Sequence, residues 1–325
     1  KLYFTAWDQA HGVELWVSDG TAAGTRLAAD VAPQAASSSP GLLTVAGDRL
    51  YFTADDGVTG TQLWSLPLAG PAGCQPSGTR LCLAAARFRV EIAWRDFQGR
   101  SGIGHAVALT TDTGYFWFFD PANAEVVVKV LDARSLNQAF WVFYGALSTV
   151  EYEITVTDTQ TGLSRRYYNP PGQLASAGDT AGFGPLGAYD SKQSRITVPA
   201  APLAVAERPR AAAGVCTPGP QRLCLQGGRF AVEASWKDFQ GKTGTGTAVP
   251  LSGDTGYFWF FAPANVEVLA KVLDGRGLNG KFWFFDGALS NVEYTLTVTD
   301  TQTGTVKTYT NSAGHFGSLA DTGAF

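Results

Sequence analysis

Residues 111–119 read TDTGYFWFF, and residues 253–261 read GDTGYFWFF. Asp-Thr-Gly occurring twice raises the chemistry of an aspartic-protease pair, in which two like charges share a proton and have their pKa values forced apart. The flanks of Asp112 and Asp254 argue against it. Such a protease continues its triplet with Ser or Thr, whereas Tyr115 and Tyr257 follow here and the chain runs straight into five aromatics. A third Asp-Thr-Gly begins at Asp321. Before a strand the triplet is ordinary turn chemistry, with Asp capping its own backbone and Gly free to take a positive φ. Both aspartates are therefore read as structural.

The recurrence itself is the informative feature. Residues 74–183 align with residues 216–325 at a constant offset of 142 with no gap, and more than half of the positions are identical. Each copy reads as β throughout. Arg87–Phe97 alternates, with Phe88, Val90, Ile92 and Trp94 on one face. Short apolar runs follow at regular spacing, separated by Gly, Pro, Asn and Asp, which suggests an immunoglobulin-like sandwich. DTQTG (158–162) is expected to close a hairpin with Gly162 at positive φ. No amphipathic helix is evident in either copy. The expected architecture is all-β: an N-terminal β segment (1–73), sandwich copy 1 (74–183), an extended Ala/Pro-rich linker (184–215) and sandwich copy 2 (216–325).

The four cysteines form two pairs of identical spacing, Cys74/Cys82 and Cys216/Cys224. Four cysteines allow three pairings, and a gapless duplication favours the one that keeps each copy self-contained. The three histidines lie nowhere near zinc-ligand spacing, so disulfides and an oxidising, extracellular compartment are expected. The formal charge of −4 without a basic cluster argues against nucleic acid, and no long apolar run suggests a membrane span. The chain begins at Lys1 and contains no Met, which reads as loss of an original N-terminus.

No motif for a catalytic, metal or cofactor site is present. The duplicated carboxylates, among them Glu91/Glu233, Asp132/Asp274 and Glu125/Glu267, are expected to be solvated or ion-paired with Lys129, Arg134 and their equivalents. The aromatic runs put large rings on both faces of single strands, so a second cover is needed. A loop or linker would supply it, or a neighbouring domain or subunit, or a carbohydrate stacked on the rings.

LYFTAWDQAHGVELWVSDGTAAGT from Leu2 is echoed by LYFTADDGVTGTQLWSL from Leu50. The first stretch, with Glu14-Leu15-Trp16 and Asp19-Gly20-Thr21, resembles the ELWxxDGT repeat of large secreted bacterial proteins. The second departs from it, with Gln62 in place of Glu. The tandem copies are similar to the C-terminal β-sandwich modules such proteins carry. The resemblance covers residues 1–66, implies secretion or surface display, and brings no catalytic residue. Its units look like propeller-type meanders, and so few leave edges to cover.

Two functions follow as expectations. The first is a structural subunit of an extracellular bacterial filament or surface assembly, not an enzyme, whose partners are copies of itself joined head to tail. The second is a secreted adhesin or glycan-binding module, with glycans or other surface proteins as partners. The candidate subunit contacts are Leu2, Tyr3, Phe4, Leu50, Tyr51 and Phe52 at the N-terminal end, and Tyr257, Trp259, Phe261 and Trp283 in copy 2. The segment following copy 1 is expected to cover that copy and to leave copy 2 without an equivalent.

Overall fold

The N-terminal stretch folds as two antiparallel meanders of three strands, β1 (Leu2–Asp8), β2 (Gly12–Ser18), β3 (Arg26–Ala29) and β4 (Gly41–Ala46), β5 (Arg49–Asp55), β6 (Thr61–Pro67). The computed structural model describes residues 2–18, 20–22, 25–46, 49–67, 73–184, 204–208, 211 and 214–325. They fall in two compact units, one within residues 1–73 together with 183–192 and one within residues 74–182 and 193–325, which holds the body of both copies of the repeat. Leu15, Leu50, Phe52 and Ala54 form the small core of the first unit, with Tyr3 and Trp64 packed against it. Glu14 is fully buried there. Its carboxylate accepts hydrogen bonds from the backbone N–H of Val31, Ala32 and Ser38 and from the Ser38 hydroxyl, tying the segment after β3 to β2. Gln62 in the second meander is exposed and donates only to the nearby Thr59 carbonyl, so that clamp is not repeated. Asp19 of the motif lies outside the described residues.

Copy 1 contains β7 (Leu81–Leu83), β8 (Phe88–Arg95), β9 (Ser101–Ile103), β10 (His105–Ala108), β11 (Thr113–Trp117), β12 (Val126–Ala133), α1 (Arg134–Asn137), β13 (Ala139–Ala146), β14 (Glu151–Asp158), β15 (Ser164–Asn169) and β16 (Ser176–Phe183). One sheet runs β10-β11-β12-β13-β16, and the other runs β15-β14-β8-β7 with β9 paired to β8. Phe88, Val90 and Ile92 of β8, Phe116 of β11, Val142 of β13 and Ile154 of β14 are all buried, as the alternation required. A buried Phe of this kind contributes roughly 1.5–3 kcal/mol. The β14–β15 hairpin closes through Gly162 at φ 76°. The one-turn helix α1, not foreseen from sequence, buries no residue and ends at Gln138 in the left-handed region.

Between the copies lies one further described strand, β17 (Ala204–Arg208). Copy 2 repeats the topology with β18 (Arg222–Leu225), β19 (Phe230–Lys237), β20 (Thr243–Thr245), β21 (Thr247–Pro250), β22 (Thr255–Trp259), β23 (Val266–Gly275), α2 (Arg276–Asn279), β24 (Lys281–Ala288), β25 (Glu293–Asp300), β26 (Val306–Asn311) and β27 (Ser318–Asp321). Its sheets are β21-β22-β23-β24-β27 and β17-β26-β25-β19-β18, with β20 paired to β19. Leu223, Val232, Phe258, Val272, Phe284 and Leu296 from both sheets share one core.

Where the linker is described it covers copy 2, not copy 1 as expected. β17 lies antiparallel on the edge of β26, from Ala204 opposite Thr310 to Arg208 opposite Val306, with all five of its residues exposed. Main-chain pairing, not a core, holds it. Ala211 and Gly214 continue along the same copy through their N–H groups to the Gly304 and Thr301 carbonyls. Most of residues 184–203 lie outside the described residues. Each disulfide stays within its copy, Cys74–Cys82 with Cα atoms 5.4 Å apart and Cys216–Cys224 with Cα atoms 5.6 Å apart. Closing so short a loop is worth about 2.5 kcal/mol in the chain-entropy account.

Candidate functional site

The second cover for the aromatic runs is the other copy. In β11 and β22 the rings alternate: Phe116 and Phe258 point into their own sandwiches, while Tyr115, Tyr257 and Trp259 join the seam and Trp117 stacks on His105 instead. In β24 the same alternation sends Phe282 and Phe284 inward and Trp283 and Phe285 outward. These outer faces pack against each other around Val127, Phe143, Leu147, Leu269, Phe285 and Leu289.

The seam has internal two-fold character. Gly145 faces Gly287 so closely that a Cβ on Gly145 would sit 2.8 Å from the Gly287 carbonyl carbon. The Ser176 and Ser318 hydroxyls hydrogen-bond to each other. Each of these residues meets its own equivalent 142 positions away, which happens only on the axis of an isologous contact.

Away from the axis the seam buries four ionisable side chains, Lys129, Lys271, Glu125 and Glu267, each at most 3% exposed. Lys129 Nζ donates to Asn265 Oδ1 at 2.9 Å and to the Val266 carbonyl at 2.9 Å. Reciprocally, Lys271 Nζ donates to Asn123 Oδ1 at 2.9 Å, to the Ala124 carbonyl at 2.9 Å and to the Leu147 carbonyl at 2.6 Å. Each asparagine passes the contact on: Asn123 Nδ2 donates to Glu125 Oε1 at 2.5 Å, and Asn265 Nδ2 donates to Glu267 Oε1. The Phe143 and Phe285 rings lie 5.2 and 4.8 Å from the two ammonium nitrogens. Burial drives both lysines down to about 8, against the opposing pull of Glu267 on Lys129 and of Glu125 on Lys271. Burial likewise raises Glu125 and Glu267, against the charge of the facing lysine. Asp132 and Asp274 pair with Arg134 and Arg276 as expected, and Glu125 and Glu267 do face Lys271 and Lys129, but buried in the seam and across it. Each triad takes its lysine from one sandwich and its Asn and Glu from the other.

Chemically, the triads place an amine of lowered basicity, a carboxamide and a carboxyl of raised pKa together, out of water, twice. Asp112 and Asp254 are not brought together in this way. Burial raises both, but the nearest opposing charges are Lys129 and Lys271 respectively, and neither aspartate perturbs the other. Their turns are also built differently from the expected pattern. Thr110 and Ser252 hydroxyls cap the N–H groups of Asp112 and Thr113 and of Asp254 and Thr255. Gly114 needs no positive φ; a Cβ there would meet Leu81 Cδ1 at 2.6 Å and the Val107 carbonyl oxygen at 2.8 Å.

Of the expected subunit contacts, Tyr257, Trp259 and Trp283 are taken up by the seam. Leu50 and Phe52 are buried in the N-terminal core, and Tyr3, Phe4 and Tyr51 are half-buried. Leu2 and Phe261 remain exposed. Sequence reasoning missed the triads, although VVVKV (126–130) and VLAKV (268–272) carried a signal, a lysine in the middle of an apolar strand. Compared with known proteins, the chain matches no family model, no curated protein and no solved structure.

Proposed function

We propose that the chain is a non-catalytic structural subunit of an extracellular bacterial filament or surface assembly, joined to neighbouring copies of itself by extended segments that add to a sandwich edge. The observation that carries this reading is β17. Five exposed residues, held by their pairing with β26, extend a sandwich sheet by one strand. The same β-addition between chains would provide main-chain hydrogen bonds without a dedicated pocket. The two disulfides fit an oxidising environment, and no helix among the described residues is long and apolar enough to cross a membrane. The N-terminal unit leaves Leu2, Trp7, Leu42, Val45, Val58 and Leu63 exposed, more apolar surface than so small a unit needs for itself. Head-to-tail joining through it is heterologous, so it propagates unless the rotation closes a ring.

Negative-stain microscopy of the full chain and of a chain lacking residues 1–73 tests the proposal. Filaments or sheets are expected from the first and dispersed particles from the second. A full chain that stays monomeric at high concentration, or a truncated chain that assembles equally well, would overturn it.

A second reading, a glycan-binding adhesin, draws on a different observation. Phe97 and Phe239 are 66% and 65% exposed, and Phe119 and Phe261 are half-exposed beside Trp94 and Trp236. Retention on immobilised glycans, lost in a Phe97→Ala/Phe239→Ala chain that remains folded, would favour it.

A further inference from the structure

We propose that the seam is a self-cross-linking site, where Lys129 condenses with the Asn265 carboxamide and Lys271 with the Asn123 carboxamide, each forming an isopeptide bond between the two sandwiches with loss of ammonia. The inference concerns the chain by itself and does not depend on the assembly reading.

Geometry comes first. Each lysine nitrogen is already within hydrogen-bond distance of the carboxamide oxygen, so the carbonyl carbon it would attack is one bond further on. Strands hold the lysines, Lys129 and Lys271 lying centrally in β12 and β23, and the asparagines sit just ahead of those same strands in the opposite copies, Asn265 directly before β23 and Asn123 three residues before β12. Such positioning turns a slow condensation into an effectively unimolecular step. The amide nitrogen that must leave donates to a buried glutamate, so the proton needed for departure has a carrier in contact with it. The site is dry, which favours an uncharged amine and an uncharged carboxyl over an ion pair and keeps water from competing as the nucleophile. The lowered lysines and raised glutamates agree with that preference. The backbone carbonyls of Ala124 and Leu147 can take the two N–H groups of a neutral Lys271 amine, leaving its lone pair for the carboxamide.

The step balances without an added reactant. The Lys129 ammonium passes a proton to the Glu267 carboxylate across the Asn265 carboxamide that both contact. The neutral Nζ forms a bond to Cγ of Asn265, and Glu267 delivers its proton to Nδ2. The Cγ–Nδ2 bond then breaks and ammonia leaves, while Glu267 takes up the proton that Nζ sheds in becoming an amide nitrogen. Lys271, Asn123 and Glu125 repeat the sequence. Glu267 and Glu125 touch the leaving amide nitrogens and are the catalytic residues of this reaction.

The test is the mass of the purified full chain, reduced and denatured. Two condensations leave it lighter than its sequence by about 34 Da, about 17 Da for each ammonia lost. Peptide fragmentation should place the losses on branched peptides joining residue 129 to 265 and residue 271 to 123. A Glu267→Gln chain is expected to lose about 17 Da alone, with the Lys271–Asn123 link intact. A natural chain at full sequence mass would overturn the proposal. So would a deficit that persists when both lysines are changed to Met.

Discussion

Asp286 shows how one substitution between otherwise equivalent strands changes the chemistry of a core. It occupies the position of Tyr144 in copy 1, is fully buried, and accepts a hydrogen bond from the Tyr294 hydroxyl at 2.8 Å. Its other oxygen has no hydrogen-bond partner. Burial lifts its pKa to about 8, against the stabilising donation from Tyr294. A carboxyl whose folded pKa lies above its unfolded value of about 3.9 holds its proton more tightly in the folded state. Its favourable contribution is therefore complete below about pH 4 and is lost as pH rises towards 8, at up to about 1.4 kcal/mol per pH unit. Glu125 and Glu267 shift in the same direction, so the comparison must be with Asp286→Asn, which lacks the titrating group alone. Urea midpoints should show the advantage of the variant growing between pH 4 and pH 8 and levelling above that. A constant difference would mean that Asp286 is not buried as a neutral acid. Gly145 gives a second residue-scale prediction. Its missing Cβ is what lets the two copies meet backbone to backbone. Gly145→Val should cost about 1–3 kcal/mol by overpacking, seen as a thermal midpoint lower by several degrees.

At the level of elements, β17 is the strand whose contribution can be isolated. None of its residues is buried, so removing residues 204–208 should leave the core of copy 2 folded while exposing the β26 edge. Amide exchange across residues 306–311 should quicken and that of β25, at the centre of the sheet, should not. Equal exchange in both chains would show that β17 does not protect the edge. Strands and hairpins were legible because a half-buried strand writes its period of two into the chain, as Phe88, Val90 and Ile92 do. The disulfides were legible because duplication repeats local spacing. What covers Trp141 and Trp283 was not. A ring facing another sandwich and a ring facing a loop leave the same alternation, and only the partner tells them apart. The triads were harder still, since Lys129 and Asn265 stand 136 residues apart and Lys271 and Asn123 stand 148 apart. A constant repeat offset reveals which residues are equivalent, whereas these contacts join residues that are not. The expectation about linker cover failed for a related reason: residues 204–208 precede copy 2 in sequence, and they pair with one of its last strands.

For the whole molecule, the seam determines whether the repeat behaves as two beads on a string or as one body. Two isolated sandwiches would each have to expose Trp141, Phe143 and Tyr115 or their equivalents to water. The pair instead buries them against each other, with reciprocal lysine contacts fixing the register. Isologous contacts of this kind are the usual basis of two-fold dimers, and here both halves belong to one chain. The connection between the copies should then be dispensable for keeping them together. A protease site inserted between residues 184 and 204 and cut in the folded protein should leave the fragments as a single particle on size exclusion, at the mass expected for the 34.4 kDa chain. The same cut in a Gly145→Val chain that also carries Lys129→Met and Lys271→Met, and so has no cross-link to hold it, should let them separate, because the added methyl groups push apart the two backbones at the axis. Separation after cutting the natural chain would show that the tether, and not the seam, holds the copies together. Denaturing electrophoresis of the cut natural chain distinguishes packing from covalent joining: packed sandwiches run as two bands, whereas sandwiches joined through Lys129 and Lys271 run as one.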